Sequence, residues 1–401
     1  MYALGLNSGS SFDGVDAVLI DIDFGEDGQL TPPRFVDGLS LDWPKEVQGD
    51  VLAAFSNSLS LFELTRLNYV VGAVFAQAAL TLMAKHDLSP KDVTVIGYDG
   101  QTVYQEPPDR QRMAELADDA PLYRRFTDGG YAVGLQIGEP GVVATQTDVP
   151  VVTQFRSVDH SLGGTGAPLM QFLDYIAFRS VAPIATLNIG GIANIQVADP
   201  DRDRMLAFDC GPGNVMIDHA MRRFYAVEYD ADGATAAAGT LNQPMLDRLL
   251  QHPFFERPIP RCAWRLDFGA DYADAVLDEF AHLEPHDVLA TLTRFSAESI
   301  VRSLLDNVTQ LDEIDTLITS GGGVRNATLL RDVQDLLPAG VTLRISDEYG
   351  LPAQFKEAIK FATLAVATLH QIGNNIPHAS GARRMAVLGK LVQAPRNARF
   401  T

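Results

Sequence analysis

Four glycine-rich turns, each closing a short apolar run, hold most of the residues in this chain that could meet a polyphosphate. The first, GLNSGSSFDGVD (residues 5–16), lies between two apolar runs and offers the amides of Gly9 and Gly14, the hydroxyls of Ser10 and Ser11 and the carboxylate of Asp13. That set suits a phosphate cradle in which backbone N–H groups face oxygens and Asp13 holds Mg²⁺ directly or through water. The same residues also suit an ordinary β-hairpin with a Ser/Asp turn. The second turn carries Asn188, Gly190 and Gly191, whose bare backbone permits close approach of a ligand. The third presents Asp209, Gly211, Gly213 and Asn214 at a strand end before a helix opens. The fourth, with Gly321, Gly322, Gly323 and Asn326, ends a strand and enters a helix, where a flat base or ribose could lie against backbone. Each turn alone is more often structural, but four in this order are far more specific. His282 and His286 stand four apart, yet Pro285 interrupts the spacing and no acid accompanies them, so they read as surface residues.

Turns of this kind need strands and helices to hold them. Apolar runs at residues 2–6, 17–22, 93–96, 185–189, 205–208, 316–319 and 341–345 read as strands entering tight turns. Residues 64–82, 288–305 and 357–369 have helical period; Leu67, Val71, Val74, Ala78 and Leu82 form the apolar stripe of a helix packed on a sheet. The class is therefore α/β. A strand, a small-residue turn and a second strand occur at residues 4–22 and recur at 187–198, which predicts two related lobes. The expected division is 1–148 with about 375–401 in one lobe and 149–374 in the other. Residues 105–130, polar and proline-containing, read as an inserted surface loop or short helix.

A formal net charge of -20 repels phosphodiester backbones and anionic membranes, which disfavours nucleic-acid and membrane partners and points to a small substrate. An anionic nucleotide can still bind locally, because amides and a metal ion dominate at short range. Cys210 and Cys262 have neither metal nor redox spacing, as expected in a reducing compartment. Without a basic leader segment or a run of 18 apolar residues, the expected location is cytoplasmic.

Along nearly its whole length the chain resembles the anhydro-N-acetylmuramic acid kinase family, which includes levoglucosan kinase and lies within the actin-like ATPase superfamily. The matching segments are GLNSGSSFDGVDA (5–17), DGQTV (99–103), LQIGEP (135–140), PVVTQFRSVD (150–159), GAPL (166–169), NIGGIANI (188–195), FDCGPGN (208–214), YDADGA (229–234), SGGGVRN (320–326), SDEYGLPAQFKEAIKFA (346–362) and VLGK (387–390).

The resemblance implies a two-lobed actin/Hsp70/sugar-kinase-like (ribonuclease H-like) fold with ATP in a central inter-lobe cleft, held by the glycine turns. It implies a coupled reaction: a carboxylate activates water against the anomeric carbon, the 1,6-anhydro bridge opens, and O6 takes the γ-phosphoryl group. By motif position the base is Asp159; a neutral water needs such a positioned base as the C1–O bond breaks. Gln101, Gln136, Glu139, Arg156, Gly166 and Ala167 fall on the sugar side, with Arg156 either holding an anion or orienting Asp159. Asp13 and Glu357 are the implied Mg²⁺ ligands, although Glu357 also suits the first turn of a helix for its dipole. His160 reads as a bystander. The expected substrate is 1,6-anhydro-N-acetylmuramic acid, with levoglucosan or another anhydro sugar second, and relatives of this type pair as homodimers. A nucleotide-binding protein that has lost catalysis is a further alternative.

The chain departs from the family pattern near the sugar. Ser-His before Gly-Gln-Thr is Tyr98-Asp99, Asp-Phe-Arg is Gln154-Phe155-Arg156, the Gln of Gly-Gln-Gly-Ala-Pro is Thr165, and Lys-Ser-Thr-Gly-Arg-Glu is residues 261–266.

Overall fold

Strands β1 (Tyr2–Asn7), β2 (Val15–Asp21) and β3 (Arg34–Leu41) form an antiparallel meander. The computed structural model describes residues 1–9, 14–263 and 265–397, the side chains of residues 265, 266 and 397 excepted. Ser10, Ser11, Asp13 and Trp264, singled out from the sequence, lie outside the described residues. After the meander, helix α1 (Leu61–Lys85) leads to β4 (Val93–Gly97), which pairs with β1 in parallel. A hairpin of β5 (Gln101–Glu106) and β6 (Val133–Ile137), helix α2 (Pro140–Thr147) and β7 (Val151–Thr153) follow, and β7 pairs with β4 in parallel. Residues 105–130, expected as an excursion, make the long connection of the β5–β6 hairpin.

The same plan recurs downstream. Helices α3 (Arg156–Ser161) and α4 (Gln171–Phe178) precede the antiparallel meander β8 (Ile184–Ile189), β9 (Ile192–Ala198) and β10 (Leu206–Pro212). Helices α5 (Val215–Tyr225) and α6 (Pro285–Asn307) then lead to β11 (Thr316–Ser320), α7 (Ala327–Leu336) and β12 (Thr342–Ile345). β11 joins β8 in parallel, and β12 joins β11 in parallel. Helix α8 (Lys356–Leu369) and β13 (Lys390–Val392), antiparallel to β7, complete the chain. One sheet has the order β13-β7-β4-β1-β2-β3 and the other β10-β9-β8-β11-β12. Apart from the added β13 the two orders and strand senses are the same, so the echo at residues 4–22 and 187–198 marks the inner strands of one ribonuclease H-like plan used twice.

Contacts divide the chain into Met1–Ala177 with Phe355–Thr401, and Phe178–Gln354. The edges differ from the expected 148/149 and 374/375 because β7 extends the first sheet and α8 packs on it. In the first unit Leu4, Leu6, Val15, Ala17 and Leu19 of the sheet bury against Val71, Phe75, Ala78 and Leu82 of α1. α1 is the one described helix long and apolar enough on average to cross a bilayer, but this face is spent on the sheet. A capping box between Ser60 and Glu63 starts it. α8 presses on the same sheet so closely that a side chain at Gly97 would begin 2.1 Å from the Phe361 carbonyl oxygen. In the second unit Leu187, Ile195 and Phe208 bury against Ile300 and Leu304 of α6 and Leu329 of α7.

Candidate active site

In the first unit the parallel strands β1, β4 and β7 end side by side, and ligands of open α/β sheets gather beyond such carboxyl ends. Asp99 follows β4 and Arg156 follows β7. Asp99 is 3% exposed, accepts a 2.9 Å hydrogen bond from the Phe155 amide and pairs with Arg156 Nε at 2.5 Å. Arg156 Nη1 also donates to the Gly166 carbonyl at 2.8 Å. The Gly166 amide in turn donates to Asp159 Oδ2 at 2.9 Å. The backbone of one residue therefore joins the arginine to the carboxylate expected as base. Of the two roles open to Arg156, the geometry supports orienting Asp159 through Gly166, with its charge already met by Asp99.

Asp159 is 1% exposed and lies on the short helix α3. Its Oδ1 accepts from Ser380 Oγ at 2.8 Å and from Asn375 Nδ2 at 3.3 Å. Burial raises its pKa above the ordinary carboxylate value, opposed by the hydrogen bonds from Gly166, Ser380 and Asn375 and by the charge of Arg110. Arg110, from the 105–130 excursion, donates to the carbonyls of Gly163 (2.6 Å) and Ser380 (3.1 Å), and the Thr165 amide reaches the Ser380 carbonyl at 2.9 Å. The excursion thus clasps the two segments that grip the carboxylate. Sequence reasoning missed Arg110, Asn375 and Ser380, since nothing near them in the chain marks them as partners of a residue so remote.

A side chain at Gly164 would start 2.1 Å from Asp159 Oδ2. Gly164→Ala is therefore expected to push the carboxylate off its donors and lower kcat about 10²-fold, in keeping with the sensitivity of such chemistry to a 1 Å misplacement. Steady-state kinetics alongside a melting curve checks this; an unchanged kcat in a folded variant contradicts it.

The remaining first-unit residues divide. Gln136 is 8% exposed with an unpaired Nε2, and Gln101 is 1% exposed with an unpaired Oε1. A Cβ on Gly134, on the same strand as Gln136, would lie 3.1 Å from Gln136 Nε2 and 3.4 Å from His160 Cε1. Thr165 Oγ1 and His160 Nε2 are buried and unpaired as well. Burial depresses the His160 pKa to about 4, so the ring is neutral at pH 7. Glu139 instead caps α2, its oxygens taken by the Gly141 amide and Asn68 Nδ2. The departures find local reasons. Tyr98 is a buried core residue, stacked on Phe75 with its hydroxyl on the Gly138 carbonyl, and Gln154 accepts from Lys390 Nζ at 2.7 Å. Ala167 follows Gly166 on the same turn and is half-buried; Gly9 and Gly14 flank the first turn.

In the second unit three of the glycine turns meet. The Gly213 amide donates to the Gly191 carbonyl at 2.8 Å and the Asn214 amide to the Gly190 carbonyl at 2.9 Å. Asn188 Oδ1 accepts from Ser320 Oγ, and Gly321 lies directly against Ile189 and Asn188. Gly323 packs on Ile189, while a side chain at Gly322 would meet open space. Asn326 caps α7 through the Leu329 amide. Asp209 Oδ2 accepts from the Ala263 amide, and Gly211 is crowded by Phe255 and Ser299. Arg261 is buried, donating to the Asp209, Phe255 and Arg257 carbonyls and to Ser303 Oγ.

Among the described residues no three His, Cys, Asp or Glu side chains cluster as a metal site. Glu357, half-buried in the first turn of α8, is the described carboxylate that a hard cation could share with phosphate oxygens and water.

A family model described as anhydro-N-acetylmuramic acid kinase matches residues 1–394. Curated proteins of that name are similar over nearly the whole chain. The one from Caldanaerobacter subterraneus subsp. tengcongensis is 35% identical over 97% of this chain and 96% of its own length. That of Francisella tularensis subsp. novicida is 34% identical, covering 97% and 98%, and that of Salinibacter ruber 36%, covering 97% and 95%. With the match running from the first strand to β13, the chain belongs to the anhydro-N-acetylmuramic acid kinase family.

Proposed function

We propose that this phosphotransferase uses ATP to convert a 1,6-anhydro sugar, foremost 1,6-anhydro-N-acetylmuramic acid, into its 6-phosphate. The supporting observation is the grip on Asp159, a buried carboxylate fixed by three donors and coupled through Gly166 to the Arg156–Asp99 pair. In this reading Asp159 takes a proton from water, whose oxygen bonds to the anomeric carbon while the C1–O6 bond breaks. The electron pair left on O6 then forms the bond to the γ-phosphorus, and ADP departs. Burial keeps Asp159 basic enough to accept the proton and excludes bulk water from the phosphoryl group. Arg156 and Gly166 position the carboxylate, and Gln101, Gln136 and Thr165 offer unpaired polar atoms to sugar hydroxyls. Mg²⁺ held by Glu357, with Asp13, would neutralise phosphate charge. The second-unit turns formed by Asn188, Gly190, Gly191, Gly213, Asn214 and Gly321 would take the nucleotide, and the cytoplasm and a homodimer are the expected setting.

A carboxylate-free sugar such as levoglucosan is a second reading, favoured because Arg156 already spends its charge on Asp99. Single-turnover ATP consumption with each sugar and with none tests both. Sugar 6-phosphate formed in step with ADP is expected with the muramic sugar. Equal ADP release without sugar removes the proposal.

A further inference from the structure

Helix α8 carries two buried lysines with opposite circumstances. Lys356 is fully buried and paired at 2.8 Å with Asp174, also fully buried. Lys360, one turn on, is 6% exposed, yet among the described residues it makes no hydrogen bond and no ion pair; its close company is the Phe361 ring, 4.3 Å away. Burial lowers its pKa, and the charges of Glu357 and Asp99 act against that while those of Arg156 and Lys356 add to it. Its neighbour Phe361 stacks on Phe155 at 5.8 Å between ring centres and lies against Gly97, which sets this turn of α8 at the carboxyl ends of β4 and β7, near Asp99 and Arg156. The stem is buried but the nitrogen still reaches solvent, so an incoming anion can take its idle donors.

We propose that Lys360 is a catalytic residue whose ammonium contacts the phosphoryl group during its transfer to O6, an inference that rests on the kinase reading above. Asp99 is already bound to Arg156 and the Phe155 amide, so it has no need of the lysine. The charge of Glu357, three residues away on the same helix, favours the protonated form of Lys360. An oxyanion delivered by substrate is what three idle N–H donors can serve, and a fixed cation on a transferring phosphoryl group lowers the barrier where charge develops.

The test uses the full-length protein, Lys360→Met and Lys360→Arg. Sugar-dependent turnover should fall about 10²–10³-fold in kcat in Lys360→Met, with sugar KM changed less than about threefold and partial recovery in Lys360→Arg. Binding of Mg²⁺ with a non-hydrolysable ATP analogue or with ADP, followed by melting temperature, supplies a readout independent of the sugar. The wild type should hold the triphosphate about tenfold tighter than the diphosphate, and Lys360→Met should erase that preference. A kcat within threefold of wild type, or a loss seen only in KM for the carboxylate-bearing sugar, overturns the proposal; the latter would assign the ammonium to the sugar's carboxylate. Should the wild type turn over no sugar, the kinase reading falls while the triphosphate preference still judges Lys360. If Lys360→Met does not fold, Lys360→Gln takes its place with the same expected outcomes.

Discussion

Asp159→Asn is expected to lower sugar phosphorylation about 10³–10⁴-fold while ATP affinity changes less than about twofold, because the carboxylate serves water and not the nucleotide. The amide keeps the shape of the side chain and can still accept from Ser380 and Asn375 at the position now held by Oδ1. What it cannot do is take a proton, and its NH₂ would face the Gly166 N–H that now donates to Oδ2. Rapid quench with product analysis measures the rate, and titration calorimetry measures the nucleotide. Undiminished turnover would strike Asp159 from the mechanism.

The raised pKa of Asp159 adds a pH signature. Its ionised form is the working form, so the wild-type rate should fall as pH drops through that pKa, on an acid limb above the ordinary carboxylate range near about 4. For stability the sign is opposite. The folded state binds this proton more tightly than the unfolded state, so the contribution is complete at low pH and lost as pH rises through the folded pKa. An acid limb in kcat without loss of folded protein separates the two effects.

Lys356→Met should be the most damaging substitution for the fold itself. Asp174 would lose this cation in a site with no exposure. Breaking a buried pair on one side costs about 3–5 kcal/mol, which corresponds to a melting temperature about 10 °C lower for a unit of this size. Removing both charges with Lys356→Met and Asp174→Leu together should recover most of the loss, since the double variant removes the carboxylate along with the ammonium. Calorimetric melts of the two single variants and the double variant check this. A double variant no better than the worse single one would show that the pair matters for more than mutual neutralisation.

Local patterns were enough to find the strands that enter glycine turns, the long helices and the doubling of the plan, because two- and 3.6-residue periods are written into neighbouring residues. The positions of Asp159, Arg156, Gly166 and Glu357 came instead from the family resemblance, which periodicity does not supply. Partnership was legible in neither. Asn375 and Ser380 reach Asp159 across 216 and 221 residues of chain, and Arg110 joins them from a segment that read as a surface loop or short helix. Glu139 read as a substrate contact, yet the packing of α1 against the end of β6 turns it into a helix cap. Nothing in the sequence singles out Lys360 on its helix. Only the placement of α8 on β1 and β4 makes it a buried cation beside Asp99 and Arg156. A chain's periodicity states which face of an element is apolar, but the neighbours of a buried charge are settled when distant elements pack, and the energy of that charge depends on those neighbours.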